Sequence, residues 1–214
     1  MCSPVFWLPK TPRAPSPPTA GWLATGDLGW LDAEGRLNLS GRSKDLIIRG
    51  GHNIDPKTIE DALSAHPAVQ LCAAVGAPDA YTGELPVVFA TLVPGTTATE
   101  AELLDFVGQR VDEAPARPKA VTILKTMPMT NVGKIFKPDL RLLATQAVVS
   151  ALVEQVYRDA GCAHLERAQV QVDAQNGVCV VFNSGEAGEH AAYLSNALQA
   201  AWAGLPGKVV FQMV

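Results

Sequence analysis

The sequence has little charge and few aromatics. Asp, Glu, Lys and Arg make up 18% of its 214 residues, and Phe, Trp and Tyr only 6%. No apolar run approaches the ~20 residues a membrane-spanning helix needs, so no span is expected. There is no excess of positive charge. Lys and Arg number 17 against 21 Asp and Glu, and a net charge of -4 argues against a general nucleic-acid binder, whose contact face is basic. The four cysteines, Cys2, Cys72, Cys162 and Cys179, form no C-x-x-C pair, and only His164 lies near one of them. That spacing is too thin for a zinc site, so no metal centre is expected. It implies reduced, mostly buried thiols in a cytoplasmic protein.

What the chain does have is apolar mass. A hydrophobic content of 48% and a mean hydropathy of +0.13 provide the side chains for a real core and exclude wholesale disorder. The length exceeds one small domain and falls short of two domains of roughly 150 residues. The first twenty residues, MCSPVFWLPKTPRAPSPPTA, are crowded with proline, which removes backbone donors and fixes φ, so neither helix nor interior strand is expected there. They lack the basic start and apolar stretch of a secretory signal. Residues 1–20 therefore read as a disordered lead, or as a start inside a larger protein.

Order is expected from Gly21. In residues 21–42, Asp32-Ala33-Glu34-Gly35 is a turn signal between Trp30-Leu31 and Leu37-Asn38-Leu39, which predicts a hairpin. Residues 43–139 read as mixed α/β. Leu46-Ile47-Ile48 is a short strand closed by Gly50-Gly51. Asp55-Pro56 opens a helix whose buried stripe is Ile59, Ala62 and Leu63, and His66-Pro67 ends it. Val69–Val75, Leu85–Val93 and Val121–Leu124 read as strands. Thr99 and Glu102 form a capping box ahead of Leu103, Phe106, Val107 and Val111. Residues 140–214 repeat the mixture. A helical stripe of Leu140, Leu143, Ala147, Val148, Ala151, Leu152 and Val156 stops near Gly161. Strands follow around Val170–Val172 and Val178–Phe182, then a helix through Leu194, Leu198, Ala201, Trp202 and Leu205, and a last strand at Val209–Met213. The expected fold class is mixed α/β (α+β), ending in a small two-layer α/β unit.

Three clusters carry chemistry. In Thr25-Gly26-Asp27, a turn glycine lets backbone approach a ligand, and the Asp27 carboxylate can accept the paired hydroxyls of a ribose. A turn aspartate capping its own backbone is the plainer alternative. The run Gly41-Arg42-Ser43-Lys44-Asp45-Leu46-Ile47-Ile48-Arg49-Gly50-Gly51-His52 sets dense charge before a strand and two glycines. There Arg42 can fork onto phosphate or ribose oxygens, Lys44 adds a compact charge, and Gly50-Gly51 can line a narrow slot. A solvated charged turn with a glycine bulge is the alternative. In Thr130-Asn131-Val132-Gly133-Lys134, a lysine following a turn glycine sits at a loop tip where it can enter another domain's cleft, or is simply solvated. No glycine stands five residues before Gly133, so this is not a Walker loop.

In this order and spacing, TGDLGWLDAEGRL, GRSKDLIIRGGHNIDPKTIE and PMTNVGKIFKPDLR resemble the adenylate-forming (AMP-binding) enzymes, and among them the acyl-CoA synthetases. The resemblance covers Gly21 to about Leu140. It implies a reaction in which a small-molecule carboxylic acid and ATP, with Mg2+, give an acyl-adenylate and pyrophosphate, after which coenzyme A displaces AMP. On this resemblance Asp27 holds the ATP ribose and Arg42 contacts ribose or phosphate. Lys44 lies at the hinge of the mobile C-terminal domain, Gly50 and Gly51 border the pantetheine tunnel, Arg49 meets coenzyme A phosphates, and Lys134 is the adenylation lysine. Residues 21–42 then correspond to a remnant of the large adenylating domain, residues 43–139 to the mobile C-terminal domain, and residues 140–214 to an extension. Neither the Gly/Ser/Thr-rich phosphate loop nor the acyl pocket of the family's large domain is found in the 214 residues. The expectation is a fragment that needs a large domain or a homologous subunit as partner and is inactive alone, with the extension serving packing or a subunit contact. The alternative is a noncatalytic α/β interaction or regulatory module derived from the family.

Overall fold

A computed structural model describes residues 26–162, 168–173, 177–182, 184–205 and 209–213. Thr25, Cys2, His164 and the expected lead therefore lie outside the described residues. Strands β1 (Asp27–Leu31) and β2 (Leu37–Arg42) form the expected hairpin. Its turn is held by Asp32, whose carboxylate accepts the Glu34 and Arg36 amides at 3.1 and 2.8 Å. A single 3-10 turn, Ser43–Asp45, leads into β3 (Ile47–Arg49) and β4 (His52–Ile54).

Helix α1 (Pro56–Ser64) begins as its sequence dictates, with the Asp55 carboxylate accepting the Lys57 amide and Pro56 in the first turn. The long strands β5 (Val69–Asp79) and β6 (Gly83–Leu92) pair antiparallel over almost their whole length. Helix α2 (Glu100–Gly108) carries the complete Thr99–Glu102 capping box, and β7 (Ala120–Ile123) adds parallel to β6. The other edge of β6 is taken by β5, so β3 reaches β6 only at its first residue, through the pair Arg49–Gly83.

This five-stranded sheet is covered on both faces, and the continuous apolar run of β5 follows from that. One face packs Ala74, Val88, Ala90 and Val121 against Ile59 and Leu63 of α1 and Leu103 and Val107 of α2. The other packs Ala73, Val75 and Phe89 against Met127 and against Leu140 and Ala144 of α3 (Lys137–Asp159).

Helix α3 is shared by two cores. Beyond Ala144 it buries Val149, Val153 and Tyr157 against β9 (Gly177–Phe182) and α4 (Ser184–Trp202), which with β8 (Gln169–Asp173) and β10 (Val209–Met213) make a two-layer unit. Strand order is β10-β9-β8, with β9 and β10 parallel across α4. The expected stripe on α3 is corrected by this packing. Ala147 and Ala151 are exposed, and Ala144, Val149, Val153 and Tyr157 are buried instead. A helix facing two partners in succession rotates its buried line between them. Tyr157 tolerates burial because its hydroxyl accepts the Ala168 amide at 3.1 Å. The expected boundary between residues 139 and 140 falls in the first turn of this helix.

Candidate functional site

Asp27 and Arg42 stand opposite each other at the open end of the β1–β2 hairpin, and Arg42 Nε lies 3.4 Å from Asp27 Oδ1. The side chains are 37% and 68% exposed, so the pair is worth little energetically. A carboxylate acceptor beside a guanidinium donor fits the hydroxyls of a ribose and a neighbouring phosphate oxygen.

Ser43 follows directly. Its amide and hydroxyl both donate to the Gly26 carbonyl, at 2.9 and 3.2 Å, closing the hairpin end. Lys44 projects from the 3-10 turn and is exposed. Its carbonyl and the Asp45 carboxylate both accept from Arg141 Nη2 of α3, each at 2.9 Å.

Gly50 and Gly51 form the two-residue turn joining β3 to β4, closed by the pair Arg49–His52. Their φ values of +56° and +86° are those of a primed hairpin turn, which explains the double glycine. The turn is tied down from the β5–β6 connection. The Gly50 amide donates to the Thr82 carbonyl at 2.7 Å, and the Ile48 amide to Glu84 Oε2 at 2.8 Å. Asp79 braces that connection by accepting from the Thr82 hydroxyl and amide and the Tyr81 amide. Those bonds, the Thr82 hydroxyl foremost, hold its carboxyl below the ordinary range. Arg49 donates from Nη1 to the Pro115 carbonyl at 2.7 Å. Arg49, Gly50, His52, Thr82, Ala114 and Pro115 line an open cleft of about 400 Å³. With one nitrogen held by Pro115, the guanidinium keeps donors for an anion at the mouth.

Lys134 sits on the return arm of a tight turn, Thr130–Gly133. The Gly133 amide donates to the Thr130 carbonyl at 2.9 Å, with Gly133 at φ +76°. The Thr130 amide donates to the Lys134 carbonyl (2.7 Å), the Lys134 amide to Thr130 Oγ1 (3.1 Å), and the Phe136 amide to the Pro128 carbonyl (2.9 Å). The backbone on both sides of the lysine is thus fixed. Its side chain is exposed and makes no ion pair among the described residues. Met129, Val132 and Phe136 beside it are exposed hydrophobics. The loop's far end is pinned where Lys137 Nζ meets Glu60 Oε1 at 2.8 Å, and the same oxygen accepts the Ala74 amide at 2.9 Å.

The structure therefore joins Asp27 with Arg42, and Arg49 with Gly50 and Gly51, and sets Lys134 on a loop of its own. The sequence reading overlooked Arg141, Glu84, Asp79 and the Lys137–Glu60 pair, which hold these groups in place. A carboxylate beside a turn glycine, Gly83-Glu84, was the one available signal, and it names no partner. No group of three or more His, Cys, Asp or Glu able to hold a metal is found among the described residues.

The sequence profile described as AMP-binding enzyme C-terminal domain matches residues 58–134. Those residues are similar to that family over this span. A marinolic acid–CoA ligase of Pseudoalteromonas sp. (strain SANK 73390) is 53% identical over 124 residues, which are 58% of this chain and 19% of that protein. A long-chain-fatty-acid–CoA ligase of Bacillus subtilis (strain 168) is 44% identical over 118 residues, 55% of this chain and 21% of that one. The crystal structure of the anthranilate CoA ligase AuaEII with anthranoyl-AMP superposes with a TM-score of 0.54 at 35% identity, covering 61% of this chain and 26% of that one. The chain thus spans about a fifth to a quarter of the length of these relatives, and Lys134 is the last residue that the profile matches. No helix among the described residues is long and apolar enough to cross a membrane.

Proposed function

We propose that this chain supplies the lysine-bearing C-terminal part of an ATP-dependent acyl-CoA synthetase and acts with a large adenylating domain, joined to it or provided by another subunit. The observation that carries the proposal is Lys134: exposed, unpaired with any described carboxylate, and presented by a turn whose backbone is hydrogen-bonded on both sides.

The chemistry suits that placement. In the first half-reaction a carboxylate oxygen attacks the α-phosphorus of ATP, the bond to pyrophosphate breaks, and acyl-adenylate forms. Two anions must meet, so an ammonium group between them lowers the barrier electrostatically. Asp27 would accept the ribose hydroxyls and Arg42 would bind ribose or phosphate. Mg2+ would arrive with the nucleotide, and we assign it no ligand from this chain. In the second half-reaction the coenzyme A thiol attacks the acyl carbonyl and AMP departs. Turning of the C-terminal domain about Lys44 would withdraw Lys134 and bring up Gly50-Gly51 for the pantetheine arm, a conformational step between two chemistries. Arg49, at the mouth of the cleft, would meet coenzyme A phosphates.

The relatives are named for unlike acids, marinolic, long-chain fatty and anthranilic, over the same C-terminal segment. We therefore place the choice of acid in the large domain. The free thiols of Cys72, Cys162 and Cys179 agree with a cytoplasmic setting. ATP–pyrophosphate exchange with a panel of carboxylic acids tests the proposal. The isolated chain should give none, and mixing or fusing it with an adenylating domain should restore it. Robust exchange by the chain alone, or no gain on mixing and fusion, contradicts the proposal.

A further inference from the structure

Two sets of hydrogen bonds bracket Lys44 from opposite sides. On the hairpin side, the Ser43 amide and hydroxyl hold the Gly26 carbonyl, so Ser43 moves with β1 and β2. On the other side, Arg141 Nη2 holds the Lys44 carbonyl and the Asp45 carboxylate, each at 2.9 Å, so the peptide unit from Lys44 to Asp45 moves with α3. The backbone rotors left between these anchors are those of Ser43 and Lys44. The Arg141 and Asp45 side chains are 32% and 29% exposed, shielded enough for a charge-assisted contact to matter.

Helix α3 begins three residues after Lys134, and Lys137 in its first turn is fixed to α1 through Glu60. Arg141 lies one turn further on. The loop that carries the candidate reacting lysine therefore runs directly into the helix that grips the linker, and Lys137 pins their junction. Nothing in the local sequence around Lys44 announces this contact, which joins residues 96 and 97 positions apart.

We propose that Arg141 is a positioning residue: a latch that fastens the Lys44–Asp45 peptide to α3 and thereby confines any turning of the Lys134-bearing unit against the β1–β2 hairpin to the rotors of Ser43 and Lys44. The functional half of this inference rests on the reading under Proposed function; the mechanical half does not. Without the latch the linker frees further bonds beyond Lys44, and the two working poses are no longer reached by one defined rotation.

The mechanical half is tested on the 214-residue chain by native-state digestion with a protease that cuts after lysine. Arg141→Ala should speed cleavage after Lys44 about tenfold, the factor expected when one partner of a charge-assisted pair is removed. Cleavage after Lys57, inside α1, should stay unchanged as the internal control. Arg141→Lys, whose ammonium sits on a shorter side chain, should recover part of the protection, and Asp45→Ala should give a smaller acceleration of a few fold. Cleavage after Lys44 within twofold of the parent chain, or equal acceleration at Lys44 and Lys57, overturns the latch. If Arg141→Ala does not fold, Asp45→Ala is judged by the same two criteria. In the system complemented with an adenylating domain, Arg141→Ala should shift the ratio of thioester-forming to adenylate-forming rates by about threefold or more, and an unshifted ratio overturns the positioning role. Lys134→Ala removes its own cut but should leave the rates of cleavage after Lys44 and Lys57 unchanged while removing adenylate formation, so failure of the latch and failure of the functional reading give different results.

Discussion

Removing the Glu60 carboxylate should cost more stability than removing the Lys137 ammonium, although the two form a single ion pair. Both side chains are mostly shielded, 23% and 19% exposed, at a separation of 2.8 Å. The asymmetry comes from Ala74. Its amide, on a fully buried strand residue, donates to the same Glu60 oxygen at 2.9 Å. Lys137→Met keeps the apolar stem, and Glu60 keeps its bond to Ala74 while one face stays in reach of water. The expected loss is about 1 kcal/mol. Glu60→Ala strands both a largely buried ammonium and a buried strand amide, and the amide alone costs about 1–3 kcal/mol. The sum should lie near 2–4 kcal/mol, below the range for a wholly buried pair because about a fifth of each side chain meets solvent. Glu60→Gln preserves an acceptor for Ala74 and should fall between. Urea unfolding with an unchanged slope reads these differences directly. A Lys137→Met variant as costly as Glu60→Ala refutes the reasoning, because the pair would then dominate over the strand amide.

Other expectations follow from the same geometry. Gly51→Ala should destabilise by about 1–2 kcal/mol in urea unfolding, since φ +86° is strained for alanine while no atom within 4 Å meets the added methyl; a loss under a few tenths would contradict the turn. Cys72 should resist alkylation near pH 8, because burial, with Glu60 and Asp61 adding to it, pushes its thiol from 9.0 up to about 11. The unfolded thiol ionises first, so the folded state holds more protons above pH 9 and stability should fall as pH rises from about 9 towards 11. Cys72→Ser should flatten that part of the stability profile, and an unchanged slope would remove the assignment.

Local devices were legible in the sequence because their causes are local. Asp55-Pro56 opens α1 and the Thr99–Glu102 box opens α2 because each satisfies free amides within one turn. The β1–β2 hairpin follows from Asp32 binding the amides of its own turn. The candidate site was legible as residue types, not as an assembly. Asp27 and Arg42 meet only through the register of a hairpin, and Arg49 finds a carbonyl 66 residues away. The stripe on α3 was misread for a related reason. Leu143, Ala147 and Ala151 keep helical spacing on paper, yet the helix leaves one core for another near Val148 and its buried line turns with it. Gly50-Gly51 was recognised as unusual, but the bonds from Thr82 and Glu84 that position it are long-range and leave no mark nearby.

The proposed role of Lys134, an exposed ammonium beside the Gly133 bend, is in adenylate formation and not in thioester formation. Lys134→Ala, measured in the complemented enzyme one half-reaction at a time, tests it most directly. Acyl-adenylate formation should fall by about 10²–10³, the usual consequence of losing one preorganised charge from such a transition state, while conversion of supplied acyl-adenylate to thioester should persist near the parent rate. Equal adenylation by the variant and the parent, or equal loss in both steps, would contradict the account.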